Sequence, residues 1–355
     1  MANILKVTPN EFVNIVEPLY SSNEIIPTVM LWGPPGVGKS ESIRGALAQR
    51  LEKNTGKKVH FTDVRLLLFN PVDLRGIPVP DQAHEFTKWL KPQIFNLDPS
   101  ENVINILLLD EITAAPPTVQ AAAYQLTLDR KVGEHSLPDN TIVICAGNRV
   151  IDKGVAYKMP TPLANRMTHF EIYADLEDWK EWAIPNEIHP LVIGFLNFRQ
   201  NLLHKFDPSS DDLAFPTPRA WSFVSKYLKI YSGNIDKAYP MIAGTIGEGT
   251  AVEFKAFAKT YGKLPDVNKI MEGEKVEVPN QPDILYALSA AITSRVGKAK
   301  EEHLRNVTKF TMDLPKEFAV LTMRDMLRVP GVKEKIMTMK EWIVWAKNHK
   351  NLIVG

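Results

Sequence analysis

Gly33-Pro34-Pro35-Gly36-Val37-Gly38-Lys39-Ser40 has the spacing G-x-x-x-x-G-K-S/T. Glycines in such a run let backbone N–H groups converge on phosphate oxygens without a Cβ in the way. A helix starting at about Lys39 would offer its N-terminal dipole to the same anion. Lys39 is then the residue that neutralises β and γ phosphates, and the Ser40 hydroxyl is a ligand for Mg2+. Pro35, Gly36, Val37, Gly38 and Glu41 complete the candidate phosphate-binding segment. Further on, Ile106-Leu107-Leu108-Leu109-Asp110-Glu111 is an apolar run ending in two carboxylates. Asp110 suits the hydration shell of the metal, and Glu111 suits polarisation of an attacking water. That division of labour fits a phosphoryl transfer, which needs positioning and charge neutralisation more than covalent help. Ile142–Ala146 runs into Gly147-Asn148-Arg149, and Asn148 there could orient the same water. Each feature also has a plain structural reading. The loop could be a turn with a stray lysine, the acidic pair a helix cap, and Asn148 a turn residue.

These residues need a scaffold. Thr28–Trp32 reads as a strand stopped by the Gly-Pro-Pro-Gly loop, and Ser40–Lys53 as a helix with Ile43, Ala46, Leu47 and Leu51 on one side. Val59–Val64, Val103–Leu109 and Thr141–Ala146 are further candidate strands. The second of these is apolar on both faces, as a central parallel strand is. A helix is expected over Val119–Leu128. Thr8-Pro9-Asn10-Glu11 carries a capping-box spacing with proline at the first helical position. Asn70–Phe95 is too rich in proline for a helix and reads as an insertion with a hairpin. A second small hairpin is expected near 130–140. Alternation of strands and helices indicates an α/β domain on a parallel sheet over 1–174. From about 175 the periodicity turns helical, in segments 176–182, 191–206, 218–231, 235–246, 250–261, 282–300 and 317–326. An all-helical domain over 175–300 and a helical extension over 301–355, packed on it, are expected.

Composition excludes several classes. With 42 Lys and Arg against 41 Asp and Glu in 355 residues, the net charge of +1 announces no nucleic-acid or anionic-membrane partner. One cysteine, Cys145, allows no intrachain disulfide, as expected in a reducing compartment. The histidines show no ligand spacing, so no structural zinc is expected. No apolar stretch is long enough to span a membrane, and Met1–Glu11 does not read as a secretory signal. The expected location is the cytoplasm. Trp179 and Trp182 read as core, Lys298–Glu302 as a solvated helix face, and Gly244–Gly249 as a helix connection.

Taken together, the motifs resemble those of AAA+ ATPases, and within that superfamily the MoxR group. GPPGVGKS, LLLDEI and the AGN strand end resemble the Walker A, Walker B and sensor 1 motifs in order and spacing. VDLRGIPVPDQAHEFTKWLKPQIF resembles the group's helix-2 insertion, and DRKVGEHSLPDN its hairpin before sensor 1. The resemblance spans about residues 25 to 260. It implies an arginine finger at Arg166, within Pro162-Leu163-Ala164-Asn165-Arg166-Met167, and a sensor 2 arginine at Arg219, within Pro216-Thr217-Pro218-Arg219. Many members have Asp-Arg-Phe where this chain has Asn165-Arg166-Met167. A finger of this kind stabilises charge on a neighbouring subunit's γ phosphate. Arg219 could clamp a nucleotide in its own subunit or a neighbour's. Either arginine could instead be a surface or structural residue. The resemblance further implies ATP and Mg2+ as cofactors, a hexameric ring and a partner protein with a von Willebrand factor A domain. Chaperone-like remodelling of a partner is the implied function. The alternative is a motor or loader acting on nucleic acid, against which stands the mixed charge of the two hairpins (Arg75, Lys88, Lys91, Arg130 and Lys131 beside Asp73, Asp81, Glu85 and Glu134). A nucleotide switch without hydrolysis fits least, given Asp110, Glu111, Asn148 and Arg166.

Overall fold

A computed structural model describes residues 4–22, 24–152 and 157–349. The first three residues of the expected α/β domain, Gly154 in the loop before Arg166 and the last six residues of the expected extension lie outside the described residues. The chain divides into two compact units, Met1–Ala174 with Asp207–Ser210, and Asp175–Phe206 with Asp211–Gly355.

In the first unit, strand β1 (Leu5–Val7) leads into helix α1 (Pro9–Tyr20). The capping box forms: Thr8 N donates to Glu11 Oε2 at 2.7 Å and Glu11 N to Thr8 Oγ1 at 3.2 Å. Strand β2 (Val29–Trp32) ends at the glycine loop. The helix that follows is α2 (Lys39–Glu41), a π-helical stretch (Ser42–Leu47) and α3 (Ala48–Thr55). Then come β3 (Lys58–Arg65), α4 (Pro71–Arg75), the hairpin β4 (Ile77–Pro80) and β5 (Thr87–Leu90), and β6 (Val103–Asp110). Helix α5 (Pro117–Tyr124) runs into a π-helical turn (Gln125–Asp129). A small hairpin of β7 (Lys131–Val132) and β8 (His135–Ser136) precedes β9 (Thr141–Gly147). Helix α6 (Thr161–Ala164) and β10 (Thr168–Ile172) complete the unit.

The main sheet has the order β1-β10-β2-β9-β6-β3, every neighbouring pair parallel. The apolar run of β6 has its cause in this order. Ile104, Ile106 and Leu108 join a core with Phe12, Val13 and Val16 of α1 and with Ile43, Leu47 and Leu51. Leu107 and Leu109 join the opposite core with Val119, Ala122, Ala123 and Leu126. Each buried leucine contributes about 2 kcal/mol, so a central strand covered on both faces has no room for alternation. Asn105, the one polar residue in the interior of β6, has its amide nitrogen tied down: Nδ2 donates to Asp98 O at 2.7 Å and to Asn140 Oδ1 at 3.1 Å.

Several expectations need correction. Strands β1 and β10 were not anticipated. In β1 only Val7 is buried, and in β10 only Phe170 and Ile172, so neither shows its strand character without its neighbours. The insertion is not free of helix: Pro71 stands in the first turn of α4, where it needs no N–H, and Asn70 N donates to Asp73 Oδ2 at 2.7 Å.

The second unit is helical throughout its described elements. These are α7 (Leu176–Ala183), α8 (Pro190–Phe198), α9 (Pro218–Ile230), α10 (Ile235–Ile246), α11 (Glu248–Ala258), α12 (Val267–Glu272), α13 (Pro282–Val296), α14 (Glu301–Thr311), α15 (Lys316–Leu327), α16 (Val332–Met337) and α17 (Lys340–Asn348). The helix expected over 191–206 ends at Phe198, and the one over 282–300 at Val296. Phe195, Trp221 and Phe254 pack edge-on or tilted with ring centroids 5.2–5.6 Å apart. Residues of α12 and α13 share one core with residues of α14 to α17. Of the tryptophan pair only Trp179 is buried; Trp182 is 36% exposed. Residues 298–300 form the junction before α14, with Ala299 buried and Lys300 at the N-cap, while Glu301 and Glu302 are exposed in its first turn. Gly247 is the break between α10 and α11.

A buried ion network ties three of these helices. Lys180, with no exposed surface, reaches Asp325 Oδ1 at 2.9 Å, Glu177 Oε1 at 2.7 Å and Asn197 Oδ1 at 3.1 Å. Arg328 adds bonds to Asp325 at 2.7 Å and Glu177 at 2.9 Å. Burial alone would raise the Glu177 carboxyl, but the charges of Lys180 and Arg328 bring it below its ordinary value.

Candidate phosphate-binding and hydrolytic site

The site lies where β2, β6 and β9 end, the edge of an open parallel sheet at which ligands bind. After Trp32 the loop turns through Gly36 (φ 77°) and Gly38 (φ 102°). At Gly38 an L side chain would be strained, and the helix starts on the next residue, so the backbone N–H groups of the loop are set up as an anion cradle. Val37 is buried in the core with Ile43 and Leu47 and so anchors the loop, while Pro35 and Gly36 are partly exposed and Glu41 is exposed in the first helical turn. Lys39 is only 9% exposed. Its ammonium folds back over the loop, donating to Gly33 O at 2.7 Å, Pro34 O at 3.0 Å and Asn148 Oδ1 at 3.0 Å.

Ser40 Oγ donates to Asp110 Oδ2 at 2.8 Å, joining the first helical turn to the end of β6. Asp110 Oδ1 accepts the backbone N–H of Glu111 at 2.9 Å. Glu111 itself has φ 56°, in the left-handed region that non-glycine residues avoid. Strain of this kind persists where the surroundings over-determine it: Ile112 N donates to Ala146 O of β9 at 3.0 Å on the other side. The Asn148 amide lies with Nδ2 3.4 Å from Glu111 Oε2. Lys39, Ser40, Asp110, Glu111 and Asn148 are thus brought together.

Thr113 escaped the sequence reading. Its hydroxyl donates to Asn148 O at 3.0 Å and accepts from Asn148 N at 3.1 Å, so it fixes the backbone on which the Asn148 amide is carried. A threonine two residues past the acidic pair was the available signal. Arg149 has a structural role that its sequence context does not announce. It binds Asp152 Oδ1 at 2.8 Å and Glu171 Oε1 of β10 at 2.7 Å. The hydrogen bond to Asp152 and the nearby carboxylate charges hold its guanidinium above its ordinary value. This pins the segment after Asn148 to the sheet.

Arg166 follows α6, is exposed, and its guanidinium makes no hydrogen bond or ion pair among the described residues. Its neighbour Asn165 offers no carboxylate. Arg219 lies in the second unit, exposed in the first turn of α9, behind an N-cap in which Ala220 N donates to Thr217 Oγ1 at 3.0 Å. Cys145 is fully buried in β9, and burial pushes its thiol up, away from the reactive thiolate.

The residues fit a nucleotide phosphate with a divalent cation. A buried ammonium and a glycine cradle match the anion. Ser40 Oγ and Asp110 are hard oxygen donors of the kind Mg2+ takes, leaving its other positions to water and phosphate oxygens.

Residues 28–169 match the family described as "ATPase family associated with various cellular activities (AAA)". No protein of curated function matches the chain. Among solved structures, NtrX from Brucella abortus overlaps 71% of this chain and 68% of its own, at 17% identity and TM-score 0.33. A DNA polymerase III gamma subunit-related protein from Thermotoga maritima overlaps 95% of this chain and 99% of its own, at 11% identity and TM-score 0.36. No helix among the described residues is long and apolar enough to cross a membrane.

Proposed function

We propose that this chain, which carries an AAA-family ATPase domain, is a MoxR-type ATPase that binds ATP with Mg2+ and hydrolyses it in a hexameric ring to remodel a partner protein. The observation that carries the reading is the convergence of Lys39, Asn148 and Glu111 with the Ser40–Asp110 bond at one sheet edge. Lys39 exchanges its carbonyl partners for phosphate oxygens when nucleotide enters. Ser40 and Asp110 hold the cation, which when bound neutralises phosphate charge. Glu111 accepts a hydrogen bond from the lytic water and polarises it, and the Asn148 amide keeps that water in line. Arg166, exposed and unpaired among the described residues, serves the nucleotide of the adjacent subunit. Residues 175–300 act as the helical lid, with Arg219 as sensor 2, and 301–355 extend it. The mixed charge of the two hairpins, Lys88 and Lys131 beside Asp81, Glu85 and Glu134, favours a protein partner, here one with a von Willebrand factor A domain, over a nucleic-acid backbone. We place this activity in the cytoplasm.

The test combines two variants. Lys39→Ala should lose ATP binding in isothermal titration. Arg166→Ala should bind ATP normally yet lose about 10³-fold in kcat. Mixed, the two variants should partly recover hydrolysis, because some interfaces pair an intact phosphate loop with an intact arginine. Undiminished ATP affinity in Lys39→Ala would refute the nucleotide site. Full activity of Arg166→Ala as a dilute monomer would refute the ring.

A further inference from the structure

Trp32 is the last residue of β2, directly before the phosphate loop. Its indole N–H donates to Nδ1 of His169 on β10 at 2.9 Å, and the two rings stack with centroids 6.0 Å apart. An indole N–H can only donate, so Nδ1 must be the acceptor and the imidazole proton must sit on Nε2. Nε2 lies 2.7 Å from the carbonyl oxygen of Ala164, to which it therefore donates. Ala164 is the last residue of α6, two residues before Arg166, and its carbonyl also accepts Met167 N at 3.2 Å in the turn that carries Arg166. The start of the phosphate loop presses on the same strand: a Cβ at Gly33 would stand 2.7 Å from Ile172 O of β10. One imidazole thus joins the strand that ends in the phosphate loop to the turn that presents the exposed arginine.

We propose that His169 is a positioning residue for Arg166, holding the arginine turn in register with the phosphate-loop strand; this rests on the ring ATPase reading above. Arg166 itself has no side-chain tether among the described residues, so its placement depends on its backbone turn. The Nε2–carbonyl bond is a polar side-chain link from that turn to the sheet, added to the apolar packing of Leu163 and Met167 against the strands. Loss of it leaves the phosphate loop of the same subunit intact and loosens the group delivered to the next one. A displacement of about 1 Å in a group that meets the transition state costs on the order of 10²-fold.

The experiment uses the full chain and two amides that split the imidazole's functions. In His169→Asn the amide oxygen can replace Nδ1 as acceptor for Trp32, but the side chain is too short to reach Ala164. In His169→Gln the amide nitrogen can replace Nε2 as donor. His169→Asn should keep ATP affinity within about twofold and lower kcat by about 10- to 100-fold. His169→Gln should recover most of that loss. Because the defect lies in the donated arginine, mixing His169→Asn with Lys39→Ala should restore hydrolysis, which a general folding defect would not allow. Inactive Arg166→Ala alongside fully active His169→Asn overturns this role alone. Fully active Arg166→Ala overturns the finger and this role with it. A loss in His169→Asn that mixing does not restore, or an equal loss in both His169 variants, also overturns it.

Discussion

Lys39 Nζ donates to Asn148 Oδ1 at 3.0 Å, across 109 residues of chain. The other end of the same amide lies beside Glu111. One side chain, itself fixed through Thr113, therefore bridges Lys39 and Glu111, the two residues proposed to meet phosphate and the attacking water.

Removing that amide should separate binding from turnover. Asn148→Ala leaves Lys39 its two carbonyl partners, so ATP affinity by isothermal titration should change by less than about fivefold. Phosphate release should slow by about 10²-fold, the size of effect seen when one oriented polar group is lost from a transition state. If affinity collapses along with turnover, Asn148 serves to hold Lys39 rather than to arrange water.

Glu111→Gln keeps shape and removes charge. It should bind ATP as the wild type does and hydrolyse it at least about 10²-fold more slowly, since a neutral amide cannot polarise the attacking water. Single-turnover phosphate release reads this directly. A wild-type rate would move the water-activating role to another residue.

Lys180→Met should destabilise the helical unit by about 3–5 kcal/mol, because it leaves the fully buried Asp325 short of a partner. The double variant Lys180→Met, Asp325→Leu should regain part of that loss, as an apolar pair needs no counter-charge. Chemical denaturation followed by tryptophan fluorescence measures both. A double variant no more stable than the single one would show that the network's cost lies elsewhere, with Arg328 and Glu177.

His189 gives an acid limb to stability. Burial, with a smaller contribution from the charge of Lys229, pushes its imidazole down to about 4. Its Nδ1 accepts Leu191 N at 3.2 Å as the cap of α8, which requires the neutral ring. The unfolded chain, with an ordinary histidine value of about 6.5, binds the proton first. The stabilisation is therefore complete above about pH 6.5 and is lost as the pH falls towards 4. His189→Asn, which caps without titrating, should flatten the melting temperature over that range. An unchanged slope in the variant would assign the acid sensitivity to other groups.

The glycine-rich turn between a strand and a helix, the Asp110–Glu111 pair at a strand end, the helix start at Thr8 and the strand β6 were legible in the residues alone. Each is local: glycine geometry, a cap, or an apolar run whose burial is written in its own composition. The parallel sheet followed by a helical region was legible for the same reason, through period and apolar content. Tertiary structure decided the rest. Strand β10 has too few buried residues to declare itself, and becomes a strand because β1 and β2 offer it ladders on both sides. Thr113 gains its role only when β9 brings Asn148 against it. Trp32 meets His169 across 137 residues, and Asn197 meets Asp325 across 128. Periodicity states which face of an element is buried; which residue lies opposite is a property of the partner element, and only packing brings the two together.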